Sequence, residues 1–188
     1  MIRCQCITKS FGELQVLAQL KWEIGTSGIY GITGPSGCGK TTLARLILGL
    51  ESPDSGEIVL PKEYRFAVMF PEDRLLPQLS AFENVRLVCD DEVKIKNLFA
   101  ELEITTSNQA VQTFSSGMKR RVALIRALCF PADGLLLDEP FKGLDRNMKK
   151  KMTSLIQAAS QEMPVLLIDH DIALLEQNCT QILYLKKP

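Results

Sequence analysis

The stretch GPSGCGKTT at Gly34–Thr42 limits what this chain can fold into more than any other feature. It satisfies G-x-x-x-x-G-K-[ST], a pattern in which glycines let the backbone curl around a polyphosphate and turn its N–H groups toward the oxygens. Such a loop needs a strand before it and a helix after it. Both are legible. GIYGITG reads as a buried strand running into the glycines, and KTTLARLILGL carries Leu43, Leu46, Ile47 and Leu50 at i, i+3, i+4 and i+7. Gly34, Pro35, Ser36, Gly37, Cys38 and Gly39 then form the loop, and Lys40, Thr41 and Thr42 open the helix whose N-terminus faces the phosphates. Lys40 can reach the β- and γ-phosphates, and the Thr41 hydroxyl can ligate Mg²⁺. A nucleotide is the ligand these residues imply.

Beyond the loop, short apolar runs alternate with helical spacing. IRCQCIT, GEIVL and YRFAVMF read as strands. PEDRLLPQLSAFENV begins a different texture, and from about 80 to 130 the spacing is mostly helical. Strand character returns in GLLLDEP, followed by a helix over about 145–159, then PVLLIDH and TQILYL. Continuous runs such as LLL and VLLI suit parallel strands buried on both faces. The layout is an α/β core interrupted by a helical insert, with no internal repeat.

Two of those strands end in chemistry. GLLLDEP puts Asp138 at the end of a buried strand, where a carboxylate can hold a Mg²⁺ water or orient Thr41, and Glu139 follows. Ligands of open α/β sheets bind at that edge. On its own the segment reads as a strand with an acidic turn; beside a phosphate loop the chemical reading is stronger. His170, the one histidine in the chain, stands just past the next apolar run and can reach the same edge. A lone histidine is otherwise an ordinary structural residue.

Composition excludes several other functions. Lys plus Arg and Asp plus Glu are 22 each, so the whole chain offers no electrostatic footprint for a nucleic acid. KRR at 119–121 and KKK at 149–151 read as solvated helix faces. The six cysteines are scattered, without a C-x-x-C pair or metal-like spacing, which suits free thiols better than a disulfide framework. No signal peptide is legible at the N-terminus, and no window approaches the roughly 20 apolar residues of a membrane span.

In order and approximate spacing, the phosphate loop, LLLDEP, GLD at Gly143–Asp145 and the histidine after the next strand resemble the ATP-binding cassette (ABC) ATPases. FSSGMKRRVALIRAL at Phe114–Leu128 lies just upstream of LLLDEP, where that family carries LSGGQ, a basic residue and QRVAIARAL. The resemblance covers roughly residues 2–185. It implies an α/β fold: a P-loop NTPase (RecA-like) core with an antiparallel β subdomain and an inserted α-helical subdomain. A single domain over 1–188 is expected, with about 1–79 and 131–188 as core and β subdomain and about 80–130 as helical subdomain with the signature helix.

In that family two nucleotide domains pack head to tail, each ATP lying between the phosphate loop of one and the signature of the other. The resemblance therefore implies that Gly34 to Thr42 hold the phosphates, that Glu139 polarises the attacking water and that His170 contacts the γ-phosphate. Lys40, Glu139 and His170 become the catalytic set, with Thr41 and Asp138 serving the metal. Ser115, Ser116 and Gly117 would reach the partner's ATP from the N-terminus of their helix, and Asp145 would line the subunit boundary. Phe11 falls where the family stacks an aromatic on adenine, with Val16 beside it; a core position is the alternative for Phe11.

Three positions depart from the family pattern. Ser116 replaces the first signature glycine, where its side chain either crowds the γ-phosphate or adds a hydrogen bond. Met118 replaces the glutamine, and also fits a buried helix face with Val122, Ile125 and Cys129. Pro71 replaces the glutamine that in the family contacts Mg²⁺ and the attacking water, and proline offers no such group. Either water fills that position, or Glu72 or the partner compensates, or coupling is loosened.

As a whole the resemblance implies a cytoplasmic ATPase subunit, peripheral on the inner face of the membrane. It would hydrolyse ATP as a homo- or heterodimer and drive separate permease subunits, with a solute-binding protein as a further partner. EDRLLP at Glu72–Pro77 and ENV at Glu83–Val85 resemble importer ATPases, most of all the group serving nitrate, sulfonate or taurine. The short run after His170 implies no appended regulatory domain. Two rivals remain in view: a soluble ATP-dependent switch in translation or DNA repair, and a weakly hydrolysing member of a heterodimeric transporter.

Overall fold

The computed structural model describes residues 1–187; Pro188, the last residue of the expected domain, lies outside the described residues. The chain begins with β1 (Ile2–Phe11), β2 (Leu14–Ile24), β3 (Gly28–Thr33) and α1 (Lys40–Ile47). It continues through β4 (Ser55–Val59), β5 (Phe66–Met69), α2 (Ala81–Arg86), α3 (Glu92–Glu101) and a 3₁₀ turn at Val111–Thr113. The remaining elements are α4 (Ser116–Cys129), β6 (Gly134–Asp138), α5 (Arg146–Ser160), β7 (Pro164–Ile168), α6 (Ile172–Asn178) and β8 (Gln181–Tyr184).

Five strands pair in parallel in the order β5-β6-β7-β3-β8. Every residue of β6 and β7 is buried, as their unbroken apolar runs require. Alternation decides which layer each side chain joins. Leu135, Leu137, Val165 and Leu167 face a cluster with α4, α5 and the helices between β5 and β6. Leu136, Leu166 and Ile168 face α1 and the second sheet. That sheet is antiparallel, β2-β1-β4, and stands against the loop that precedes α1.

The sequence pattern contains no strand at Leu14–Ile24, yet β2 forms there. Gly12 at φ +60° turns the chain, and β1 supplies the partner for a run whose buried positions change phase between Leu17 and Leu20, at Gln19 with φ +45°. The seven-residue α6 is equally unannounced, being too short to show a period. The helix expected over about 145–159 is α5, capped by Asp145.

Segment 76–85 explains its own residues. Ser80 Oγ accepts from the Glu83 N–H and Glu83 returns a carboxylate to the Ser80 N–H, a reciprocal cap for α2. Fully buried Asn84 accepts from the Leu76 N–H at 2.8 Å and donates to the carbonyls of Leu76, Leu79 and Ser80. It ties down an irregular turn that carries no ladder of its own.

Candidate functional site

Register brings three chain segments to one edge. Ile32 and Asp138 both pair with Ile168, so the residues following β3, β6 and β7 emerge side by side at the C-terminal ends of adjacent parallel strands. The loop 34–39, Glu139 and His170 are those residues. They meet in a cleft of about 280 Å³ lined by Ser36, Gly37, Gly39, Lys40, Thr41 and Thr42 from the loop and α1. Asp138, Glu139 and His170 line its floor side, and Phe11, Val16 and Pro71 complete it. A larger cleft of about 740 Å³ lies at the other end of the strands, around Met1, Tyr64, Arg65 and Asp133, and holds none of the motif residues.

The loop's glycines are structural necessities. Gly39 has φ +99°, and a Cβ there would stand 2.6 Å from Val16 Cγ1. Gly37 has φ +80° with open space around it. Gly34 and Pro35, at the start of the loop, do not line the cleft and present carbonyls to Lys40 Nζ at 2.8 and 3.1 Å. Cys38 turns its side chain into the core, so its contribution to a ligand is backbone only. Gly39, as the N-cap of α1, provides no side-chain cap, and the first-turn N–H groups point into the loop.

Asp138 and Glu139 are adjacent but electrostatically unlike. Burial pushes the Asp138 carboxyl up to about 6, with the Glu139 charge adding to it and Arg120 and Lys40 pulling back. Burial also works to raise Glu139, but the Lys142 ammonium and His170 hold it below its ordinary value. Glu139 Oε2 lies 3.2 Å from Lys142 Nζ and Oε1 lies 3.0 Å from His170 Nε2. The two neighbouring carboxyls thus differ: Glu139 is held toward its ionised form, where a base could act, and Asp138 is a buried group whose ionised form a cation would favour.

Thr41 and Asp138 both line the cleft and could offer oxygens to a Mg²⁺. Among the described residues no group of three or more His, Cys, Asp or Glu side chains could hold a metal alone. That donor set fits an ion bound by one or two side chains, phosphate oxygens and water, and does not fit a metal caged by protein.

Phe11 is half exposed at the mouth of the cleft, with Lys9 Nζ 5.4 Å from its ring centroid, so it is not a core residue. Ser115, Ser116, Gly117 and Asp145 are absent from the cleft wall and gather elsewhere. A Cβ on Gly117 would be 3.3 Å from Leu144 Cδ2, which brings the start of α4 against the turn before α5. Ser115 Oγ caps α4 by accepting from Met118 N–H at 3.2 Å, and Asp145 Oδ1 caps α5 by accepting from the N–H groups of Asn147 and Met148. These four form a second surface, separate from the cleft on the same chain.

One reading needs correction. KRR is not a solvated face: Arg120 is 4% exposed and bonds the carbonyls of Phe70, Pro71, Asp138 and Glu139, while Arg121 donates to Leu102 O at 2.7 Å. The available signal was spacing, since Arg120 stands four residues before Leu124 and seven before Ala127, on the buried stripe of α4. Glu72 is exposed and pairs with Arg74 at 3.6 Å, although its charge still contributes to raising Asp138.

The family described as ABC transporter matches residues 17–142. The aliphatic sulfonates import ATP-binding protein SsuB 1 of Shouchella clausii is 37% identical, over 88% of this chain and 69% of that protein. SsuB of Zymomonas mobilis is 36% identical, over 92% of this chain and 76% of its own length. The Fe(3+) ions import ATP-binding protein FbpC of Vibrio cholerae is 34% identical, over 89% of this chain but only 53% of that protein. Among solved structures, the dimeric structure of a bacterial ABC transporter cassette superposes with a TM-score of 0.86 at 26% identity, over 99% of this chain and 94% of that one.

Proposed function

The chain belongs to the ABC transporter family, and from that premise we propose that it is the ATP-hydrolysing subunit of a small-solute importer. The observation that carries this is the meeting of loop 34–42, Asp138, Glu139 and His170 in one cleft at the strand ends. The loop N–H groups and Lys40 bind the β- and γ-phosphates, Phe11 stacks on the base with Val16 beside it, and Thr41 and Asp138 hold Mg²⁺. When bound, Mg²⁺ neutralises charge on the phosphate oxygens. Glu139 accepts the proton of the attacking water, and His170, held against Glu139 Oε1 through Nε2, contacts the γ-phosphate side of the cleft.

Ser115, Ser116, Gly117 and Asp145 stand outside this chain's own cleft. This supports a site completed by a second subunit, whose Ser115, Ser116, Gly117 and Asp145 surface covers the triphosphate. The chain acts as one cassette, about 1–79 and the described residues from about 131 onward forming the core with its β subdomain and about 80–130 the helical subdomain. Among the described residues no helix is long and apolar enough to cross a membrane. Membership of the family supports work from the cytoplasmic face through permease partners, with a solute-binding protein in the complex. The sulfonate, sulfate and iron importers among its relatives indicate the class of cargo without selecting one. Lys40, Glu139 and His170 all line this chain's cleft, which favours hydrolysis here over a weakly hydrolysing partner role.

The test is Mg²⁺-dependent ATP turnover by the purified chain beside Glu139→Gln, together with copurification of the tagged chain with a polytopic membrane protein. Glu139→Gln should lose at least about 100-fold in kcat while retaining ATP affinity. Turnover that survives the change removes Glu139 from its role, and an absence of any membrane partner removes the transporter reading.

A further inference from the structure

Arg120 lies on α4, yet its buried guanidinium grips backbone from two other segments. Nη2 donates to the carbonyl oxygens of Asp138 at 2.6 Å and Glu139 at 2.5 Å, and Nε donates to Glu139 O at 3.2 Å. Nη1 donates to the carbonyls of Phe70 and Pro71, both at 2.9 Å, and to Asp73 Oδ1 at 3.2 Å. All three guanidinium nitrogens are thus engaged, and the planar fork joins acceptors that a point charge cannot reach together.

What the fork holds is unusual backbone. Glu139 has φ +49°, the left-handed region that a residue with a Cβ rarely adopts unless its surroundings impose it. Two bonds impose it here: the Glu139 N–H donates to Ile168 O at 2.9 Å, and the Glu139 carbonyl accepts from Arg120. The turn aims the carboxylate at His170 Nε2, 3.0 Å away inside the cleft. The same guanidinium reaches the Pro71 carbonyl, so the loop whose side chain offers no polar group is still fastened to the catalytic edge through its main chain.

We propose that Arg120 is a positioning residue for hydrolysis: it holds the Glu139 peptide in its left-handed turn and locks that turn to loop 70–73, keeping the carboxylate aimed into the cleft. The proposal rests on the ATPase reading above. Because α4 begins at the surface assigned to the partner's ATP, the contact made in trans and the base acting in cis are joined by one rigid helix.

The test uses the full chain with Mg²⁺ and ATP, and the variants Arg120→Lys, Arg120→Gln, Glu139→Gln and the Arg120→Gln/Glu139→Gln double. Lysine keeps the charge on one atom, and glutamine keeps two donors without charge; neither spans both backbones. Turnover is measured against ATP concentration, and affinity by equilibrium binding of a fluorescent ATP analogue. Each single Arg120 variant should lose at least about tenfold in kcat, with KM and analogue affinity within about twofold. In the Glu139→Gln background, Arg120→Gln should remove nothing further, because it acts through that carboxylate. If Arg120→Gln does not fold, Arg120→Lys carries both comparisons. An unchanged kcat, or equal losses of kcat and affinity that persist in the Glu139→Gln background, overturns the proposal. A wild type without Mg²⁺-dependent turnover overturns the ATPase reading itself, a result distinct from an active wild type matched by its Arg120 variants.

Discussion

At the scale of single residues, the cleft depends on backbone conformations that only some side chains permit. Gly39 and Gly37 both sit at positive φ, but only Gly39 faces a neighbour, Val16. Gly39→Ala should therefore lower stability by about 1–3 kcal/mol in denaturant unfolding and weaken ATP binding, while Gly37→Ala carries only the backbone strain and costs less. Equal costs would show that Val16 yields freely. The thiols give a second residue-scale expectation. Cys4, Cys129 and Cys179 have thiols raised by burial, to about 11, 12 and 11, whereas Cys6 is exposed. A thiol-alkylating reagent applied to the native protein should label Cys6 first, read by mass spectrometry of the peptides. The phosphate loop, Asp138, Glu139 and His170 were legible because each lies in a short local pattern. Arg120 was legible only as a position on the buried stripe of α4; what it binds was not, because its partners stand 18 to 50 positions away across the sheet edge.

At the scale of elements, the buried strands could be read from their apolar runs, since burial on both faces demands continuity. β2 could not, because its pattern is set by the hairpin and the bulged partner β1 and not by its own alternation. The helical segment is held by polar chemistry as much as by its core. Asn84→Leu removes four hydrogen bonds to the 76–80 turn and leaves buried carbonyls unpaired, so a loss of about 2–4 kcal/mol is expected in chemical denaturation. The cap of α2 gives a pH signature. The backbone N–H of Ser80 holds the Glu83 carboxyl below its ordinary value. A depressed carboxyl contributes stability above the unfolded value, about 4.5, and loses it as pH falls through the folded value. The melting temperatures of wild type and Glu83→Gln should therefore differ at neutral pH and converge in acid; a constant difference would assign the loss to geometry instead of charge.

At the scale of the whole molecule, the chain presents two surfaces that each make half a site. The cleft carries the phosphate loop, the carboxylates and His170, and the start of α4 with Asp145 forms a surface outside it. The fold's class was legible because strand, loop and helix must follow in that order; the separation of the two surfaces was not, since it depends on how α4 and the turn before α5 pack. Mixing two inactive variants tests the central claim most directly. Lys40→Ala disables the phosphate loop and spares the α4 surface. Gly117→Asp puts a negative charge where the triphosphate would lie, its Cβ meeting the flexible Leu144 side chain at 3.3 Å and Gly143 O at 3.5 Å, an ordinary contact. Each variant alone should fail to hydrolyse ATP. Mixed in equal amounts and allowed to exchange partners, they should recover up to about a quarter of wild-type turnover, because half of random pairs contain one intact site of two. Recovery at that level is the predicted result; a mixture as inactive as its components would contradict a site shared between two subunits.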